Sequence, residues 1–248
     1  GLKLQQLIDE GKIKAEEAVI GYVGAFSFAE VISGMTSYYL GAKSVCPSVT
    51  MKVQFVGSWS DPTLEAEAAK ALIDKGAVMI SQHSDNTTPA TTAQERGVFH
   101  TGYNNDMTGV APKASLLSCR IDWTNYFYTF IANYINGVEN PSDYCGEMAK
   151  GEVVVTELNE AIAAPGTKEK LAEVEAKIAS GEIQVFDTST FTVEGKELTH
   201  AFALDTNGDF TPDSEEAVFD GAFHESYFQS APYFAISIDG IEWLNAKY

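Results

Sequence analysis

The sequence predicts an α/β protein built on a parallel sheet that is covered on both faces. Three observations carry this: short β-branched runs alternate with helical patterns between Glu17 and about Arg96, the runs are largely apolar, and glycines close the helices. A strand with a solvent face would instead alternate apolar and polar residues.

The elements follow in order. "AVIGYV" (Ala18 to Val23) is a short β-branched run. "EVISGMTSYYLGA" sets Val31, Met35, Tyr38 and Tyr39 at helical spacing and ends at Gly41. "TMKVQFV" (Thr50 to Val56) is a strand, and "DPTLEAEAAKALIDKG" an alanine-rich helix stopped at Gly76. "AVMIS" is a strand, "PATTAQERG" a short helix stopped at Gly97, and "VFHTGY" a strand. "SLLSCR" is a further strand, and "DWTNYFYTFIANYINGV" an aromatic-rich helix with Asp122 as its N-cap. From Glu152 the alternation is lost. "TKEKLAEVEAKIASGEI" gives an amphipathic helix with Leu171, Val174 and Ile178 on one face, and a turn-rich segment of short strands follows, closing on "ISIDGIEWL". The expected organisation is therefore a Rossmann-like ligand-binding domain over residues 1–118. Residues 119–248 are expected to supply a crossover helix and C-terminal segments to a second domain.

Composition narrows the function. Sixteen Lys and Arg against 35 Asp and Glu give a formal net charge of -19, a surface that repels phosphate backbones and excludes nucleic acid as a partner. Cys46, Cys119 and Cys145 show no CxxC spacing, so neither a disulfide framework nor a zinc site is signalled. No apolar run reaches the roughly 20 residues that span a bilayer.

In open parallel sheets, ligands sit outside the carboxyl ends of the strands. The loops there are "GAFSFAE", "GSWSDP", the run from Ser81 to Thr88 and "NNDMTG", all rich in hydrogen-bonding residues, with Phe26 and Trp59 as rings. Rings that stack on a flat ligand beside amides and carboxylates that read its edges describe a site for a neutral small molecule. No cofactor is implied, because "GYVGAF" lacks the third glycine and the lysine of the phosphate motifs. Asp61 and Asp85 with His83 form an acid/base set on paper, which keeps a nucleoside hydrolase or transferase as an alternative. The opposing reading of Asp61 is an N-cap ahead of Pro62. "DTNGDFTPDSEE" puts Asp205, Asn207, Asp209 and Glu216 at calcium-loop spacing. Phe210 stands where the turn glycine belongs, so a turn between two short strands is the expectation and a metal the alternative.

The stretch from "IGYVGAFSFAEVISG" through "GSWSDP" and "ISQHSDNTT" to "HTGYNNDM" resembles the basic membrane protein family, the purine nucleoside-type substrate-binding lipoproteins of bacterial ABC transporters. The resemblance implies a type I periplasmic-binding-protein fold, two Rossmann-like domains closing on a ligand by hinge motion. It also implies delivery of a purine nucleoside or nucleobase to an ABC permease, without catalysis, outside the cytoplasmic membrane and tethered by an N-terminal lipid. Family members begin with an N-terminal domain that has no counterpart here, so the chain is expected to be a fragment. Nucleoside-binding members carry an aromatic ring at the end of the third strand, where this chain has Ser81, which passes the stacking role to Trp59 or Phe26. Their ribose-holding aspartate matches Asn104, and a basic residue matches Arg120. The implied ligand set is Phe26, Trp59, Asp61, Gln82, His83, Asp85, Asn104 and Arg120. A ligand-sensing domain of a transcription regulator is the remaining alternative.

Overall fold

The computed structural model describes residues 1–246. A leading helix α1 (Leu2–Asp9) precedes a βα alternation: β1 (Val19–Gly24), α2 (Ala29–Val45), β2 (Thr50–Phe55), α3 (Pro62–Asp74), β3 (Met79–Gln82), α4 (Thr88–Arg96), β4 (Phe99–Tyr103) and β5 (Ser115–Ile121). Then come α5 (Thr124–Asn136), β6 (Val153–Val155), α6 (Thr167–Ala179), the short pairs β7 (Phe202–Leu204) with β8 (Ser214–Glu216) and β9 (Val218–Phe219) with β10 (Ala222–Phe223), and finally β11 (Ile241–Trp243). Among the described residues the main sheet runs β11-β2-β1-β3-β4-β5-β6, parallel except for β6 at one edge. The strand order reverses between β1 and β3, and that switch point fixes where a ligand crevice opens.

The period of two along β1 divides the core. Ile20 and Tyr22 face a layer made by α1, α2 and the C-terminal residues Phe186, Phe191, Phe223 and Phe234. Val19 and Val23 face α3 and α4, whose contacts are mostly alanine: Ala68, Ala69, Ala90 and Ala93. Small residues let these helices lie close to the sheet. Gly21 completes that fit, since a Cβ there would fall 2.8 Å from Leu72 Cβ and 2.8 Å from Ile80 Cδ1. Gly21→Ala is expected to lower stability by about 1–3 kcal/mol through overpacking. Gly41→Ala, with nothing within 4 Å of the added methyl in mid-helix, should raise it by about 0.5–1 kcal/mol. Urea unfolding midpoints of the two variants, moving in opposite directions, check this.

Gly41 also marks a difference from the sequence reading, which ends α2 there. The helix continues to Val45, because Ala42 and Cys46 beyond the glycine are buried and hold the last turn on the core. The expected division at 118 falls inside β5. The following segment adds β6 and β11 to the same sheet, and its aromatic residues join the core on the α2 face, so the N-terminal unit does not end at 118. Packing on the sheet, not chain order, decides this. Helix α5 differs again: none of its residues is buried, and Phe127, Tyr128, Ile131, Tyr134 and Ile135 are exposed.

The calcium-like segment forms the turn between β7 and β8. Asp205 accepts backbone N–H groups from Asn207, Gly208 and Phe210, while Glu216 turns to His200 and to the backbone of Ala201 and Val218. The alternative metal set of Asp205, Asn207, Asp209 and Glu216 is therefore split. No group of three or more His, Cys, Asp or Glu able to hold a metal occurs among the described residues.

Candidate functional site

The carboxyl ends of β1 to β4 carry a continuous row of five rings. Phe28 stacks on Phe26 at 5.0 Å between centroids, Phe26 meets Trp59 at 5.3 Å, Trp59 meets His83 at 6.3 Å, and His83 stacks on Tyr103 at 4.2 Å. Four successive loops or strand ends supply these rings, so the row exists only because the parallel order brings those ends side by side. Phe28 and Trp59 stay partly exposed, at 44% and 36%, and present apolar ring surface to solvent.

His83 sits between Trp59 and Tyr103 in the row. Its backbone N–H donates to Val23 O across the switch point, and its side chain is 5% exposed. Ring atom Nδ1 is buried without a hydrogen-bond partner. A buried polar atom left unpaired costs about 1–3 kcal/mol. Burial holds the imidazole pKa below its ordinary value, with Glu30 and Asp85 opposing weakly, so the ring is neutral at pH 7.

The other expected residues divide into three groups. Phe26 and Trp59 belong to the row. Asp85 is exposed beside His83, its N–H donating to Trp59 O at 2.8 Å, which joins the two loops. Asn104 sits at the end of β4 with φ of 64°, a left-handed conformation that asparagine tolerates, and its N–H donates to Cys119 O. Arg120 lies further along the same edge, its Nη2 3.3 Å from Asp122 Oδ2.

Asp61 and Gln82 face the scaffold. The Asp61 carboxylate accepts the N–H groups of Thr63 and Leu64 at 3.0 Å each, capping α3. Both bonds use one oxygen, Oδ1, so the N-cap reading of Asp61 is the one this geometry matches. Gln82 follows Ile80 onto the α3 and α4 side of the sheet. Its Nε2 donates to Ser84 O at 2.9 Å and Asn86 O at 2.7 Å, and its Oε1 lies 3.1 Å from His100 Nε2. His100, fully buried, has its pKa pushed down to about 3 by desolvation and stays neutral.

Sequence reasoning missed Phe28, Tyr103 and Glu65. Phe28 stands two residues from Phe26 in the quoted loop, and Tyr103 is the last residue of β4, so position at a strand end was the available signal. Glu65 looked like an ordinary helix residue, but it is fully buried. Its carboxylate accepts from Ser84 Oγ at 2.6 Å, from Asn86 Nδ2 and from the N–H of Asp61 at 2.9 Å.

Comparison with known proteins places this edge in context. The family model described as ABC transporter substrate-binding protein PnrA-like matches residues 13–189. A purine-binding protein of Brucella abortus is 35% identical over 188 residues, 75% of this chain and 53% of that protein. A Haloferax volcanii protein described as an ABC transporter glucose-binding protein is 33% identical over 183 residues, 74% of this chain and 46% of that one. The chain thus spans about half the length of these relatives. A solute-binding protein of an ABC transporter from Aeropyrum pernix superposes with a TM-score of 0.57 at 18% identity, over 75% of this chain and 63% of that one, which supports a type I periplasmic-binding-protein fold.

Proposed function

The chain belongs to the PnrA-like family of ABC transporter substrate-binding proteins, and from that premise we propose that its ring-lined edge binds a purine base or nucleoside for delivery to a membrane permease. The observation that carries the reading is His83: a neutral imidazole, buried within a row of rings, whose Nδ1 has no partner. A planar heterocycle offers both a face for Phe26, Phe28 or Trp59 and an edge nitrogen or amine for His83 and Asp85. Asn104 and Arg120, farther along the edge, suit the polar end of a nucleoside. The Brucella relative named as purine-binding supports the ligand class.

The site is proposed as one wall of a cleft. In this reading the remaining part of the protein supplies the opposing wall and covers the exposed apolar face of α5, and hinge motion closes the two. The protein works outside the cytoplasmic membrane, held by a lipidated N-terminal segment; none of the described helices is long and apolar enough to cross a membrane.

Binding, not turnover, is the expected activity, since the family is one of substrate-binding proteins and Asp61, one of the two candidate bases, caps α3. Native mass spectrometry of the full-length protein should show a purine lost on activation, and adenosine incubated with it should be recovered intact. Release of free adenine from adenosine would favour the hydrolase reading. The relative described as glucose-binding makes a hexose the competing ligand, and a bound hexose with no purine would contradict the proposal.

A further inference from the structure

Behind the ring row runs a chain of buried polar groups with a single direction. Ser115 Oγ lies 3.3 Å from His100 Nδ1, His100 Nε2 lies 3.1 Å from Gln82 Oε1, and Gln82 Nε2 donates to Ser84 O and Asn86 O. Because Gln82 presents its carbonyl to His100, Nε2 carries the imidazole proton and Nδ1 accepts from Ser115. Ser84 Oγ and Asn86 Nδ2 then both donate to Glu65. Every donor points towards this carboxylate, an acceptor-only terminus with no ion-pair partner among the described residues. Desolvation raises its pKa, and the bonds from Ser84, Asp61 and Asn86 oppose that rise.

The geometry makes Glu65 the hub of two loops. Its Oε1 accepts the Asp61 N–H from the loop after β2, and the same oxygen accepts Asn86 Nδ2 from the loop after β3. Asp85 lies between the two β3-loop residues that Glu65 holds, and its own N–H closes on Trp59 O. We propose that Glu65 is the positioning residue of the site, clamping residues 57–61 against residues 83–87 so that Trp59, His83 and Asp85 are set before a ligand arrives. This deepens the proposed function by naming what preorganises its site. It touches no ligand.

An uncharged carboxamide can replace the carboxylate here. In Glu65→Gln, with the amide carbonyl at the Oε1 position, the side chain would still accept from Asp61 and Asn86, and the Ser84 hydroxyl can rotate to accept the amide. A leucine keeps the volume and loses every bond. The test is residue-resolved amide hydrogen exchange on the 248-residue chain. Glu65→Leu should speed exchange at Asp85 by at least about tenfold while β1 amides stay within about twofold, and Glu65→Gln should leave Asp85 within about threefold of the parent. Unchanged exchange at Asp85 in Glu65→Leu would overturn the proposal. So would an equal acceleration of Asp85 and β1, the mark of a purely structural role.

If Glu65→Leu does not fold, Asn86→Ala provides the same reading. It removes one arm of the clamp, and with it the Oδ1 that accepts the Thr88 N–H, without burying an unpaired carboxylate; Thr88 exchange is read beside Asp85 to separate the two losses. Faster exchange at Asp85 is expected, and no change would count against the clamp. Adenine affinity of the full-length variants is measured alongside, with loss of at least about tenfold expected in Glu65→Leu and rescue by Glu65→Gln. Failure of the parent itself to bind any purine would sink the proposed ligand and leave the exchange result standing on its own.

Discussion

Phe234→Ala should lower stability by about 3–5 kcal/mol, a larger loss than any other single truncation in the aromatic layer should cause. Phe234 is fully buried, stacks on Phe186 at 4.3 Å between centroids, and meets Phe223 at 4.8 Å and Phe191 at 6.1 Å. These rings come from the C-terminal segment, yet they share one core with Ile20, Met35 and Tyr39 of β1 and α2. Removing the ring leaves a cavity whose walls belong to several elements, so the site cannot collapse cheaply. Urea unfolding followed both by far-UV circular dichroism and by tryptophan fluorescence should show the two transitions moving together. A loss below about 1 kcal/mol, or two separate transitions, would mean that the C-terminal segment is an independent attachment.

Glu225→Gln should stabilise the protein strongly at pH 8 and only slightly at pH 5. Glu225 accepts from Ser33 Oγ at the start of α2, and desolvation pushes its pKa up to about 7. Its titratable neighbours, Tyr233 and Cys145, both have raised pKa values and stay neutral across this range. The folded chain therefore holds a proton that the unfolded chain, with a carboxyl near 4.5, releases first. Between those values the native state binds more protons, and stability falls as pH rises. The contribution is fully present below about 4.5 and lost through about 7; the difference corresponds to about 3 kcal/mol. Melting temperatures of the parent and variant should lie close together at pH 5 and separate widely at pH 8. Equal separation at both values would show that the carboxyl is ionised throughout.

The α/β class was legible because β1 is buried on both faces and so reads as a run without charged residues, and because Gly76 and Gly97 adopt the positive φ angles that close α3 and α4. The pairing of β11 with β2 was not legible: a three-residue strand at the end of a turn-rich segment carries no periodicity, and long-range packing alone decides its partner. The carboxyl-edge loops were correctly read as a cluster of hydrogen-bonding groups, but not which groups face the opening. The period of two puts Gln82 on the Ile80 face, under the start of α3, whereas Ser81 faces Tyr38 and Thr101 on the α2 side. Asp61 followed the rule for a residue ahead of a helical proline. Glu65 had no signal at all, because a buried carboxylate and an exposed one look alike on an alanine-rich helix.

In the proposed function, His83 within the ring row recognises the purine. The most direct measurement is calorimetric titration of the full-length protein and its His83→Ala variant with adenine, adenosine and D-glucose at pH 7. Expected are a saturable purine isotherm, no heat from glucose, and about a 10–100-fold loss in the variant, the worth of one buried hydrogen bond together with a stacking contact. Purine affinity unchanged in His83→Ala, or an isotherm for glucose alone, would contradict it.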